Sequence, residues 1–188
     1  MLVVLTLISV IAASALAYVN QVTAGPIAEN KARTLAEGIN SVLGVSDAKV
    51  QNTTEAEDSN GNPVILYATD KGVAVQAIDP NGFGGKLKVL VGFADDGSIK
   101  GYTVLEHAET PGLGAKASFW FQQGEKGDII GKDPKEPLTV SKDGGKVDAI
   151  TASTITSRAF LLAVNNAYNA YKATPAADAA TGATEQHK

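Results

Sequence analysis

From residue 2 to residue 19 the chain carries no charged side chain and is built mostly of Leu, Val, Ile and Ala. A run of that length matches what a bilayer demands of a spanning helix, so residues 2–19 are expected to form one transmembrane anchor. The competing reading is a cleaved signal peptide, since Ala13-Ser14-Ala15 and Ala15-Leu16-Ala17 both satisfy a small-x-small cleavage pattern. The lack of a basic leader argues against it, and the start of the apolar run at Met1 leaves open whether natural residues precede it. Beyond Gly25-Pro26, the positions Ile27, Leu35, Ile39, Val42 and Leu43 alternate with Glu29, Lys31, Arg33 and Glu37. That spacing predicts an amphipathic connecting helix within residues 20–45, ending near Gly44.

The pattern then changes from helical to extended. Residues 52–62 are polar and read as turn-rich. Val64-Ile65-Leu66-Tyr67 and Val73-Ala74-Val75-Gln76-Ala77-Ile78 flank Asp70-Lys71-Gly72 and predict a β-hairpin. A second hairpin is predicted from residues 87–93 and 98–105, turning at Asp95-Asp96-Gly97. Gly82-Phe83-Gly84-Gly85 before it lacks the Lys-Ser/Thr of a P-loop, so it reads as a glycine-rich strand entry. Ser118-Phe119-Trp120-Phe121 is expected in the core, and residues 124–137 as a polar linker. Leu138-Thr139-Val140 is expected to pair with residues 147–150 across Asp143-Gly144-Gly145. From Arg158, the positions Ala159, Phe160, Leu162, Ala163, Ala167, Ala170 and Tyr171 approximate a final helix. The expected class is α+β: an antiparallel sheet with flanking helices over residues 46–173, preceded by one transmembrane helix. A disordered tail is expected over 174–188.

Composition narrows the function. With 188 residues, 44% of them hydrophobic, the chain can bury one core. A net charge of -4 and no basic run interleaved with aromatics argue against nucleic-acid binding. The absence of cysteine excludes disulfides, thiolate zinc and iron-sulfur ligation by this chain, so any electron transfer needs an organic cofactor. Asp95 and Asp96 read as turn residues, and no metal site is expected.

The chemistry is expected where Asp148-Ala149-Ile150-Thr151-Ala152-Ser153-Thr154 leads into the last helix. A helix start presents unpaired N-H groups, and small residues let a phosphate approach the backbone. On local physics alone, Thr151, Ser153 or Thr154 would simply cap the helix. A hydrolase built on Ser153 or Ser157 is disfavoured, because no G-x-S-x-G elbow is present and His107 and His187 are the only imidazoles. His107-Ala108-Glu109-Thr110-Pro111-Gly112-Leu113-Gly114 forms a stiff, closely approachable loop suited to a planar ligand. His107 itself is read as a loop histidine without a catalytic role.

Asp148 to Thr154 resembles the flavinylation motif D-x-x-[ST]-G-A-T, with Ala152 in place of its Gly and Ser153 in place of its Ala. His107 to Gly114 is similar to an E-T-P-G-L-G loop, and Gly82 to Gly85 to a G-[YF]-G-G segment, of the same family. That family is the FMN-binding domain found in the G subunit of Rnf electron-transport complexes and in the C subunit of sodium-pumping NADH:quinone oxidoreductase, the Rnf protein being the nearer match. The resemblance implies an electron carrier with FMN esterified to Thr154. Asp148, Thr151, Ala152, Ser153, Glu109, Thr110, Gly112, Leu113 and Gly114 would surround the cofactor, and Gly82-Phe83-Gly84-Gly85 would form a wall of its pocket. It further implies a flavin transferase that installs FMN from FAD, membrane subunits of a redox complex as partners, and a cytoplasmic-membrane location with the flavin domain on the periplasmic or extracytoplasmic side. Lys31 and Arg33, after the apolar run, would by charge alone draw that domain inside. The alternative is an anchored binding or assembly module of the same fold without flavin, for which the substitutions at Ala152 and Ser153 are the argument.

Overall fold

A computed structural model describes residues 1–174. Two units emerge, Met1–Ala36 and the part from Glu37 onward. In the first, α1 (Leu2–Leu43) begins at Leu2, and its large apolar side chains are exposed. This helix is long and apolar enough to cross a membrane. Where a junction near Gly25-Pro26 was expected between anchor and connecting helix, α1 runs helically through Pro26. Proline removes one backbone donor and costs about 3 kcal/mol in a helix interior, and the long helix continues through it nonetheless.

The second unit takes in the last two turns of α1, which stop before Gly44 in the left-handed region at φ +68°. Five strands follow: β1 (Val50–Glu57), β2 (Pro63–Thr69), β3 (Gly72–Gly82), β4 (Gly85–Phe93) and β5 (Ile99–Glu106). They form one antiparallel meander in the order β1-β2-β3-β4-β5. Both hairpins sit where the apolar runs and their turns placed them. The polar stretch at 52–62 corrects the expectation, because most of it is β1 and only Asp58 to Asn62 turns. β1 is an exposed edge strand held through backbone pairing with β2, so it carries no buried face for a sequence pattern to register.

The sheet is covered on both faces, and β4 is therefore buried almost continuously from Leu87 to Phe93. Leu87, Val89, Val91 and Phe93 join the main core with α3 (Thr154–Ala173). The end of α1 lies on the opposite face. There Gly92 pairs with Gly101 under Val42, and a Cβ on Gly101 would stand 3.0 Å from the Val42 carbonyl oxygen. Only paired glycines allow the helix to come so close.

After β5 come a 3-10 turn (Gly114–Lys116), the short α2 (Ala117–Trp120) and a second 3-10 turn (Ser141–Asp143). Of the aromatic trio, Phe121 is fully buried, Trp120 partly so, and Phe119 is exposed. The strand pairing expected between 138–140 and 147–150 is reduced to one parallel bridge, Val140 to Val147. The turn at Ser141–Asp143 and the left-handed Gly144 (φ +85°) carry the chain round in a loop instead of reversing it as a hairpin. The tail expected to be disordered falls, from residue 175 on, outside the described residues.

Candidate functional site

α3 begins earlier than its apolar spacing implied, at Thr154. The segment before it is pinned from below: Val147 and Ile150 are buried, and the Trp120 indole N-H donates to the Asp148 carbonyl at 2.9 Å. Ser157, fully buried, closes the turn. Its hydroxyl accepts from the Ile150 N-H at 2.9 Å and donates to the Ser153 carbonyl at 2.9 Å. Between them Ala152 has φ +61°, the only non-glycine in the left-handed region among the described residues. An alanine there costs about 1 kcal/mol, and this is the position at which the resembled motif has Gly.

Ser153 occupies the N-cap position, yet its side chain makes no capping bond. The simple capping reading therefore does not describe this helix start. The Thr154 hydroxyl instead accepts from the Lys142 ammonium at 3.2 Å, across 12 residues of chain.

Facing the helix start is the loop after β5. Glu109 is 6% exposed and ties three segments together. One carboxylate oxygen accepts from the Gly84 N-H at 3.2 Å, at the β3-β4 tip, and the other from the Thr156 hydroxyl at 2.7 Å, in α3. Its own N-H donates to His107 Nδ1 at 3.2 Å. The loop is tightened further by Leu113 and Ala115 N-H groups donating to the Thr110 carbonyl, with Gly112 at φ +77° in the turn. Its exit is fixed by Tyr102, whose phenol donates to the Ala117 carbonyl at 2.8 Å and accepts from the Phe121 N-H at 3.1 Å. Burial raises that phenol well above the usual tyrosine range.

These segments enclose a cleft of about 330 Å³, at the lower end of small-molecule pockets. Its lining brings together Glu109, Thr110, Leu113, Gly114, Ala152, Ser153 and Thr154, as well as Phe83. Asp148, Thr151 and Gly112 stand outside that lining. Asp148 is exposed, its carboxylate accepting from the Ser141 hydroxyl at 3.4 Å. Ile155 and Thr156 also line the cleft, and sequence reasoning did not single them out. Thr156 was legible only as a second hydroxyl two residues beyond Thr154, and nothing local pointed to Lys142.

Phe83, Leu113 and Ile155 are large, exposed and apolar, while Glu109, Thr110 and Thr154 supply polar groups. The arrangement suits a planar, partly apolar ligand with an anionic end near Lys142. It does not suit hydrolysis through Ser157, which is buried with its hydroxyl committed to backbone, and His107 Nδ1 is engaged by the Glu109 N-H. Among the described residues no cluster of His, Cys, Asp and Glu is arranged to hold a metal ion.

Residues 82–169 match the FMN-binding domain family. The chain is 34% identical over 181 residues to the G subunit of the ion-translocating oxidoreductase complex of Shewanella baltica, covering 87% of this chain and 84% of the relative. It is 35% identical over 189 residues to the G subunit of the Na(+)-translocating ferredoxin:NAD(+) oxidoreductase complex of Acetobacterium woodii, covering 86% of each. The Vibrio cholerae protein, also the G subunit of an ion-translocating oxidoreductase complex, is 41% identical over 98 residues, and in that comparison the chain spans about half of the relative's length, 47%.

Proposed function

The chain belongs to the G-subunit family of ion-translocating oxidoreductase complexes, and from that premise we propose that it is a membrane-anchored electron carrier holding FMN through a phosphoester on Thr154. The observation that carries this reading is the place of the Thr154 hydroxyl: half-buried, on the lining of an apolar-walled cleft, beside a lysine and at the first residue of a long helix. FMN, when bound, supplies the one- and two-electron chemistry that the side chains around this cleft do not offer.

The residues present fit such a group. Phe83, Leu113 and Ile155 offer apolar surface for a flat ring system, and the small Ala152 and buried Gly114 permit close approach. A Cβ at Gly114 would collide with the Glu109 carboxylate and the Thr156 hydroxyl, so the loop and α3 are held together at the cleft floor. Glu109, fixed by Gly84 and Thr156, and Thr110 would offer hydrogen-bonding groups to a cofactor in the cleft. The amide dipoles at the start of α3, with no side-chain cap from Ser153, favour an anion there.

Attachment requires a separate flavin transferase. The Thr154 oxygen bonds to the FMN-side phosphorus of FAD, the pyrophosphate bond breaks, AMP leaves with the bonding pair, and the hydroxyl proton is released. Covalent retention suits a carrier working outside the cytoplasm, where a lost flavin is not replaced. In this reading α1 anchors the chain in the cytoplasmic membrane, the cleft lies on the periplasmic or extracytoplasmic side, and the redox partners are other subunits of an Rnf-type complex. Turnover by the isolated chain is not expected.

The test is denaturing gel electrophoresis of the full chain, produced with an active flavin transferase. A fluorescent band that survives denaturation supports the reading, and its absence favours an unflavinylated assembly module of the same fold.

A further inference from the structure

Two cations stand beside the first turn of α3, and they are not in the same condition. Arg158 lies one turn beyond Thr154, and its guanidinium is committed to the Asp143 carboxylate at 2.7 and 2.6 Å. Lys142 has its ammonium 3.2 Å from the Thr154 hydroxyl oxygen, and no carboxylate among the described residues lies within ion-pair distance of it. Consecutive residues of one 3-10 turn therefore grip α3 at positions i and i+4: Asp143 takes Arg158, and Lys142 takes Thr154.

The turn is itself stiff. The Ser141 N-H donates to the Val147 carbonyl at 2.8 Å, and the Gly145 N-H to the Val140 carbonyl at 3.1 Å. Gly144 takes the left-handed conformation, and Gly145 leaves no room for a Cβ against Thr139. A flexible lysine on such a base is aimed by its backbone, with the Arg158 pair acting as the clamp that holds the base on the helix.

We infer that Lys142 is the positioning cation for the phosphate joined to Thr154, an assignment that rests on the FMN reading above. A phosphorus bonded to the Thr154 oxygen places its unesterified oxygens two bonds beyond the atom that the ammonium already touches. There the charge of Lys142 offsets both the negative charge that develops on the phosphoryl oxygens during transfer and the single charge retained by the product diester. Arg158 cannot serve in its place while Asp143 holds it.

The experiment uses the full chain, purified without flavin and incubated with flavin transferase and FAD, with attachment followed by intact mass. Lys142→Gln is expected to lower kcat/KM for attachment about tenfold, the lower end for a charge-assisted contact because the site is open to solvent. Lys142→Arg is expected to restore most of it, and Lys146→Gln, on the same loop, to leave it unchanged. In the flavin-loaded products, the phosphorus NMR resonance of the diester is expected to move in Lys142→Gln and to stay near the wild-type position in Lys142→Arg. Equal rates and equal resonances in wild type and Lys142→Gln would overturn the assignment while leaving the FMN reading intact, as would an Arg variant as impaired as the Gln variant. A wild-type chain that accepts no FMN at all would remove the FMN reading, and this inference with it.

Discussion

The two ends of α3 are one continuous helix and do opposite work. The later turns bury Phe160 against Phe121 (stacked, 4.3 Å between centroids) and Tyr102 (4.8 Å, edge-on), and set Tyr168 and Tyr171 around Phe93. The first turn keeps Thr154 half-buried and Ile155 50% exposed, begins after a left-handed alanine, and lacks a side-chain cap. Packing at one end holds fixed what the other end leaves reactive. Substitutions in the packed part should therefore cost stability, whereas those at the start should cost cofactor attachment with the fold intact.

The largest expected stability effect is at Phe160, which is fully buried. Phe160→Ala should destabilise by about 3–5 kcal/mol, read from urea denaturation of the detergent-solubilised chain. A loss below about 1 kcal/mol would mean that the core does not fix the helix. Next is Glu109→Ala, which strands the Thr156 hydroxyl and the Gly84 N-H. A loss of about 1–3 kcal/mol is expected, together with weaker fixation of the cleft, visible as faster amide exchange at Gly84. A smaller change of opposite sign is expected from Ala152→Gly, a gain of about 0.5 kcal/mol, because relief of the left-handed strain is partly offset by glycine's greater freedom in the unfolded chain. If that variant is less stable, the turn is not strained.

The smallest effect is electrostatic. Hydrogen bonding from Arg158 holds the Asp143 carboxyl below its ordinary value of 3.8. A lowered folded-state value means that this pair's contribution is fully present above the ordinary value and is lost as pH falls through the folded one. A carbon-detected NMR titration should show Asp143 ionising below 3.8 in the wild type and returning toward that value in Arg158→Gln.

How much of this could be read from the chain depended on whether the physics was local. The apolar run over Val73 to Ile78 and the Asp95-Asp96-Gly97 turn disclosed the hairpins, because a strand covered on both faces is apolar at nearly every residue. β1 escaped because an exposed edge strand has no such imprint. α1 continued through Pro26, a residue that punctuates most helices, because one local penalty is small against a long cooperative element. At the site, the hydroxyl-rich start of α3 and the loop around Glu109 were visible as motifs. Their joining was not, since Glu109 and Thr156 are 47 residues apart and meet only after the sheet and α3 have packed. Lys142 was hidden for a different reason. It reaches Thr154 from an irregular turn whose path depends on one bridge, Val140 to Val147, and on Gly144, and neither follows from periodicity.

The most direct measurement is the intact mass of the full-length wild type and of Thr154→Ala, each produced alongside an active flavin transferase, followed by peptide mapping. The wild type is expected to gain the mass of one FMN less water on the peptide containing Thr154, and the variant to gain nothing while unfolding in urea within about 0.5 kcal/mol of the wild type, as for a substitution outside the core. An unmodified wild type, or a modification that persists in Thr154→Ala, would contradict attachment at Thr154.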